Sequence, residues 1–561
     1  MREKNGGISR RRFLELGAGA VSVGAIAGLT GCASSGSSGQ KDYLPKSWDA
    51  EADILVVGCG GAGISAAITA ASEALGDCLV LEAAPEGEEG GNTRVSAQVV
   101  FCPSTVEGAV KYQANLNGPY KIDEDLMQAW AENICENYEW LSSVGIVVDE
   151  TTFFSPEWPD VEGSEACRCY LKDGKLGNER LWNELASTAS DQGVTIQYDT
   201  RVTELICNPE TGEVLGVKSD DGRSFKARKG VLLSCGGFEN NPDMVANYYQ
   251  VGYYETRPLG TPYNRGDGVL MAQSAGAELW HMNNFANNGF GIASGDMDNP
   301  CVIPMKFSAK DYIYVGPDGK RFMYEEEIGL SRHGKALYGG ASTNFRQPVP
   351  VYAVFGQQCF DAGCIPSTTY IDSWNVILKQ SIGNSNAEFL KAGTFVSAET
   401  PEDLAKKIGF DASVFEKTIS SYNQNAANGS DPDYGRGREV FSPFNQAAQA
   451  QASAAGQSSV ANQGAEKPAI EAFPLVPIKG PYYAVRLYTA TLNTQGGPKR
   501  SALGEVVSAK GKPIPRLFAA GELGAIYPYN YNGGGNVSEA LSSGRLAARQ
   551  IATLSAWDAK K

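Results

Sequence analysis

Two glycine clusters near opposite ends of the chain hold the residue types that can approach phosphate or oxyanion charge. In "EADILVVGCGGAGISAAITAASEALGDCLVLEAAP", Gly58, Gly60 and Gly63 form GxGxxG, and Glu82 follows after about twenty residues. Gly58 makes the turn, Gly60 lets backbone come close to a pyrophosphate, and Gly63 lets helix meet strand; Gly61 and Ala62 open a helix whose free N–H groups face the phosphates. Glu82 can accept from a ribose hydroxyl, so a dinucleotide is expected. The second cluster, Gly533 to Gly535, lies in "YPYNYNGGGNVSEALSSGR" between aromatic residues and a helical pattern. Linker, phosphate cradle and active-site floor all explain a glycine run that costs backbone entropy.

Other chemistries are poorly supplied. With two histidines, His281 and His333, in 561 residues, histidine-rich metal sites are excluded and no metal is expected. Twelve cysteines show neither CxxC nor CxxCH; Cys167 and Cys169 read as unrelated thiols. A net charge of −16 argues against nucleic-acid partners.

The glycine turn needs a β-α-β frame, and the quoted segment supplies one: an apolar strand, an Ala-rich helix, and a second strand ending at Glu82. No second GxGxxG with its own acidic partner follows, so no separate NAD(P)H site is expected. The stretch "ETPEDLAKKIGFDASVFEKTISSYNQNA" reads as two amphipathic helices, an outer scaffold. Residues 444–467 are Ala/Gln/Ser-rich and read as a surface insertion. Ahead of the fold, "SRRRFL" precedes a short Gly-rich apolar run ending in "LTGC". It resembles a twin-arginine export signal with a lipoprotein box, which would make Cys32 a lipidated first residue. Residues 1–45 are then signal and Ser/Gly tether, and the protein is expected in the cell envelope, touching membrane only through that lipid.

Ordered motifs from about 50 to 555 resemble the fumarate reductase / succinate dehydrogenase flavoproteins, a superfamily with urocanate reductase-like and 3-ketosteroid dehydrogenase-like members. "GGNTRVSAQVV" (90–100) resembles the segment laid along the flavin, with Gly91, Asn92, Thr93, Ala97 and Gln98. "DTRVTELI" resembles the adenine-side strand, with Val202 facing the cofactor; "VLLSCGGFENN" carries Gly236 and Gly237; "NRGDGVLMAQSAGA" puts Asp267 near the ribityl chain. "RLFAAGEL" carries Gly521 and Glu522, and "GGGNVSEALSSGRLAAR" resembles the closing helix, with Asn536, Val537 and Ser538 at its start. The resemblance implies non-covalent FAD in a Rossmann-like (glutathione reductase-type) α/β domain with an inserted α+β capping domain. The FAD domain would span 50–280 and 479–556, and the cap 281–478. It answers half the glycine question: the triplet would turn into a helix whose dipole stabilises negative charge on reduced flavin.

For catalysis the resemblance implies hydride passing between flavin and one carbon of a C=C bond, with a cap side chain moving a proton at the neighbouring carbon. "GPDGKRFMYEEEIGLSRHGKA" offers Arg332 as proton donor, with His333 as the second candidate. The family's dicarboxylate clamp is missing: no HPT segment follows His281, and Asn493 and Asn532 stand where a histidine and an arginine would. Asparagine cannot make a charged fork to a carboxylate. "YNGGG" instead resembles the arrangement in which a tyrosine hydroxyl and a glycine N–H hold a ketosteroid carbonyl, here Tyr531 and Gly535. Tyr527, Tyr529 and Trp280 would line an apolar pocket.

The expectation is an exported FAD reductase of α,β-unsaturated carbonyl compounds other than fumarate. Electrons would come from an external cytochrome or FMN protein, in anaerobic respiration. The alternative is a 3-ketosteroid dehydrogenase-like enzyme working oxidatively. A flavin-scaffold lipoprotein that binds a ligand without turnover is a further class, which flavin bleaching by a ligand would exclude.

Overall fold

The computed structural model describes residues 43–249, 256–294, 301–325, 333, 335–338, 341–344, 348–366, 385–437, 439–441, 470–472 and 474–559. The export signal, Cys32, Arg332 and the 444–467 insertion lie outside the described residues. The folded unit is Pro45–Lys561.

The apolar strand expected ahead of the glycine turn is Ala50–Val57, and it is central. It pairs in parallel with Cys78–Leu81 on one side and Ser224–Leu233 on the other. Thr195–Gln197 and Pro513–Ala519 extend the parallel sheet outward, and Glu505–Val507 adds an antiparallel edge. Both faces of this sheet are covered, which is why Leu55, Val56, Val231, Leu232 and Leu517 are all buried. Helix Gly61–Ser72 and helix Gly535–Ala552 pack together on one face, sharing a core of Ile64, Ile68, Leu541, Ala547 and Ile551. Strand order reverses between Ala50–Val57 and Ser224–Leu233, and the crevice beyond their carboxyl ends is where doubly wound sheets bind ligands.

A second sheet is built around one long strand, Tyr482–Thr494. Phe285–Ser294 and Val351–Phe355 flank it antiparallel. Thr256–Pro258 joins in parallel at its far end, and Val396–Ala398 antiparallel at its beginning. Helices Pro401–Ile408 and Ala412–Ala427 back this sheet through Leu404, Phe415 and Ile419. Each has the N-cap its sequence advertises: Thr400 Oγ1 accepts from the Asp403 N–H, and Asp411 Oδ1 from that of Val414. The boundary expected at 479 falls just ahead of a strand whose partners all belong to this second sheet.

The GKRF segment is structural. Arg321 forks to Glu325 and to Asp431, and Arg436 reaches Glu325 at 3.3 Å, all four buried. Among the described residues no helix is long and apolar enough to cross a membrane, and no group of His, Cys, Asp and Glu can hold a metal ion.

Candidate active site

One continuous cavity runs from Glu82 to Tyr531 and His333, with about 1850 Å³ of empty space, its open mouth included. The dinucleotide end is set by the glycine turn. Gly58 has φ +99, and a Cβ on Gly63 would lie 1.9 Å from the Gly58 carbonyl oxygen, so only glycine lets this helix meet this strand. Gly60, Gly61 and Ala62 line the cavity beyond it. Glu82 accepts from the Cys59 N–H at 2.5 Å and the Ala84 N–H at 2.7 Å. Burial raises its pKa while those amides pull it back.

Val202 and Arg201 line the same end, where Arg201 bonds Asp267 at 2.9 Å. Along the middle lie Gly91, Asn92, Thr93, Ala97, Gln98, Gly236, Gly521 and Glu522. Gly237 sits behind the wall, where a Cβ would meet Glu522 Oε1 at 2.3 Å. The late helix starts at Gly535 and presents Asn536 and Val537 to the cavity. Both side-chain polar atoms of Asn536 are buried without a partner. A structure with such groups facing its cavity has room for hydrogen bonds it does not itself make.

Asn92 Nδ2 donates to Glu239 and to Glu522 at 2.9 Å each. Asn264 Nδ2 repeats the pattern at 2.9 and 3.4 Å. Among the described residues neither carboxyl has a cationic partner. Burial raises both, Glu239 to about 7 and Glu522 well above the usual carboxylate range with Glu239's charge adding to it. The folded protein therefore keeps protons that the unfolded chain releases, and stability falls as pH rises from the ordinary carboxylate range toward 7. In urea unfolding of the flavin-loaded protein this contributes up to about 1.4 kcal/mol per pH unit for each titrating carboxyl. Glu239→Gln should flatten the slope; an unchanged slope would mean the pair carries no shifted proton.

At the other end, His333 and Tyr531 stack with ring centroids 4.0 Å apart. His333 has φ +55, the left-handed region that is uncommon for histidine. Its Nε2 lies 3.6 Å from Oε1 of Glu157, whose side chain is fully buried. The Tyr531 hydroxyl points to Asn493 Oδ1 at 3.4 Å, and Asn493 Nδ2 is buried without a partner. Phe153, Phe154, Leu259 and Leu492 supply the apolar wall. Arg201, at the opposite end, is the one Arg or Lys among the described lining residues.

Several expected roles are corrected. The Gly535 N–H donates to the Asn532 carbonyl at 2.8 Å, so it is unavailable to a substrate oxygen. The Asn532 side chain is spent on Tyr112, the Glu157 N–H and the Phe154 carbonyl, away from the cavity. Ser538 Oγ accepts from the Phe101 N–H at 2.6 Å, tying the helix to its neighbour rather than meeting a cofactor. Tyr527, Tyr529 and Trp280 face elsewhere; Tyr527 bonds the Gly535 carbonyl at 3.0 Å. His281 is outside the cavity, stacked on Trp280 and bonded to the Ala525 carbonyl at 2.9 Å. Glu157 and Glu239 were not anticipated. Glu239 had a signal, an acidic residue directly after GGF; Glu157, in "SPEWPD", had none.

The profile of the family described as FAD binding domain matches residues 53–537. The chain belongs to this family. It is 26% identical to the probable fumarate reductase Ifc3 of Shewanella frigidimarina over 89% of this chain and 74% of that protein. It is also 26% identical to the 3-oxosteroid 1-dehydrogenase of Mycolicibacterium smegmatis over 91% of this chain and 99% of that one. The 3-ketosteroid Δ1-dehydrogenase of Sterolibacterium denitrificans has the same fold, with a TM-score of 0.67 at 19% identity, covering 90% of this chain and 99% of that one. This FAD-binding protein is therefore a flavin-dependent oxidoreductase. Its residues fit FAD: the glycine turn for pyrophosphate, Glu82 for ribose, and Asn536 with the open helix start for the ring.

Proposed function

We propose that this chain reduces the C=C bond of a neutral α,β-unsaturated carbonyl compound. The observation that carries the reading is the corner where His333 stacks on Tyr531 beside the unpartnered Nδ2 of Asn493. FAD, when bound, supplies the hydride for the β-carbon. Asn493 Nδ2 and the Tyr531 hydroxyl donate to the carbonyl oxygen as negative charge builds on it. His333 gives a proton to the α-carbon. The aromatic and aliphatic wall keeps water from the site, and Asn493, which cannot make a charged fork to a carboxylate, disfavours a dicarboxylate.

Electrons come from a separate cytochrome or FMN protein, FAD is held without a covalent bond, and residues 1–45 serve for export and for anchoring through Cys32. The oxidative alternative draws on Tyr531, which would hold a ketosteroid carbonyl as in the 3-oxosteroid relative's chemistry; the occupied Gly535 amide counts against it.

The test is anaerobic. The flavin is reduced with reduced viologen, and its reoxidation is followed with fumarate, urocanate, cinnamates, steroid enones and unsaturated lactones. Fast reoxidation by a neutral enone or lactone but not by fumarate is expected. Rapid fumarate turnover, or flavin reduction by a saturated ketosteroid with no acceptor active, would overturn the reading.

A further inference from the structure

Two carboxyls stand together at the middle of the cavity, and no described cation offsets them. Glu522 is part of the cavity wall, and Glu239, 1% exposed, lies behind it. Two carboxamides bridge them. Asn92 Oδ1 accepts from the Thr261 N–H at 2.9 Å, which fixes that amide with Nδ2 toward the carboxyls. There it reaches Glu239 Oε1 and Glu522 Oε2 at 2.9 Å each, and Asn264 Nδ2 reaches the same two oxygens at 2.9 and 3.4 Å. The other two oxygens converge on a second point. Glu522 Oε1 and Glu239 Oε2 lie 2.3 and 2.6 Å from where a Gly237 Cβ would be, which accounts for glycine there. Glu522 Oε1 accepts from the Thr494 N–H at 3.1 Å, whereas Glu239 Oε2 is buried without a partner. Two ionised carboxylates this close in a buried site repel strongly, and a proton held between them gives the orphaned oxygen its bond.

We propose that Glu239 and Glu522 share one proton while the flavin is oxidised and bind a second, from solvent, when it is reduced. This requires FAD binding and is indifferent to which compound accepts the hydride. On reduction, two electrons from the external donor and one proton go to the flavin and leave it with one negative charge. The second proton forms an O–H bond on the Glu239 carboxylate, and no electron passes through the pair. Once hydride has left for an acceptor, the charge that favoured the second proton is gone and Glu239 releases it to solvent. A negative charge in a cavity walled by Glu522 raises the proton affinity of the pair, because little water is there to screen it. Burial already lifts Glu239 to about 7 and Glu522 well above the carboxylate range, so the uptake falls just above pH 7. At lower pH both carboxyls are protonated in either redox state; well above the window the pair keeps one proton in either.

The charged and titratable groups on the surrounding elements are engaged elsewhere. Arg94, on the helix that carries Asn92, turns to Glu179 and the Gly87 carbonyl. Asp267, which opens the helix after Asn264, is paired with Arg201 at 2.9 Å. Tyr263 donates to Glu88 at 2.5 Å, and the exposed Arg265 to the Pro262 carbonyl at 3.3 Å. Cys235 and Tyr263 are raised chiefly by burial and stay neutral in this range. Asp243, on the helix after Glu239, is exposed, and Thr494 brings only neutral groups. Glu82 sits at the dinucleotide end, held by the Cys59 and Ala84 amides.

The experiment is a potentiometric titration of the flavin-loaded protein at a series of pH values on both sides of neutrality, with infrared difference spectra of the oxidised and reduced forms. In wild type the pH dependence of the flavin potential should steepen just above pH 7, from about one toward two protons per two electrons. Reduction in that window should also add a protonated-carboxyl band. Glu239→Gln should remove both the steep region and the band, because Glu522, freed of a like-charged neighbour, titrates lower and stays ionised. Where Glu239→Gln holds no flavin, Glu522→Gln serves by the same reasoning. A wild-type slope of one proton throughout, or a steep region and band that survive the glutamine change, overturns the proposal.

Discussion

His333→Gln should lower the rate of flavin reoxidation by an unsaturated carbonyl acceptor by about 10²–10⁴-fold, the range of a lost general acid. Reduction of the flavin by viologen should not change. His333 lines the cavity, its ring centroid lies 4.0 Å from that of Tyr531, and its Nε2 is 3.6 Å from the buried Glu157 carboxylate. Glutamine keeps a hydrogen-bonding group there but offers no proton of suitable acidity. Tyr531→Phe separates the two duties of this corner. It keeps the ring that packs on His333 and removes one donor to the carbonyl oxygen, so it should cost less than the histidine change and leave the pH profile in place. If His333→Gln turns over at nearly the wild-type rate, the proton comes from another residue, and Arg332 is then the one to replace.

The second large effect concerns the glycine turn, where neighbouring glycines should fail in different ways. A Cβ at Gly63 would sit 1.9 Å from the Gly58 carbonyl oxygen, and 3.0 Å from the Gly58 carbonyl carbon and from Ser234 Oγ. Backbone cannot yield as a side chain can, so Gly63→Ala must push the helix off the strand. The cost should exceed the roughly 1–3 kcal/mol typical of overpacking, and the purified protein should carry little or no flavin and unfold at markedly lower urea. A Cβ at Gly60 meets only the Gly90 carbonyl at 3.8 Å and otherwise points into open cavity. Gly60→Ala should leave apoprotein stability within about 1 kcal/mol and weaken FAD binding, read by flavin titration of both variants. Equal stability losses in the two would show that the turn is purely structural.

The dinucleotide end was legible because its signal is local. A turn, a helix start and an acidic strand end lie within some thirty residues, and each has one physical reason for its residue type. The substrate end was legible only in part. Asn493 and Tyr531 face the cavity, as the resemblance implied. Gly535 does not, because its amide turns back to the Asn532 carbonyl three residues earlier; Asn532 does not, because the destination of a carboxamide is decided by what folds against it. Here that is Tyr112, Glu157 and Phe154, hundreds of residues away in the chain. Glu157 could not be read for the same reason: its bond to Gly533 spans 376 positions. The second sheet resisted a boundary because "YYAVRLYTATLNT" reads as a generic apolar strand, and nothing local says which sheet will take it.

That strand, Tyr482–Thr494, ties the second sheet to the cavity wall. Near its beginning Ala484 is clamped between Val354 and Val396 in the second sheet. Near its end Asn493 faces the cavity, and Thr494 is fastened to the Phe238 N–H and to Glu522 at 3.1 Å each. One strand therefore carries both a second-sheet partner and a cavity-lining carboxamide, so a substitution that slips its register near Ala484 would also displace Asn493 from the cavity wall.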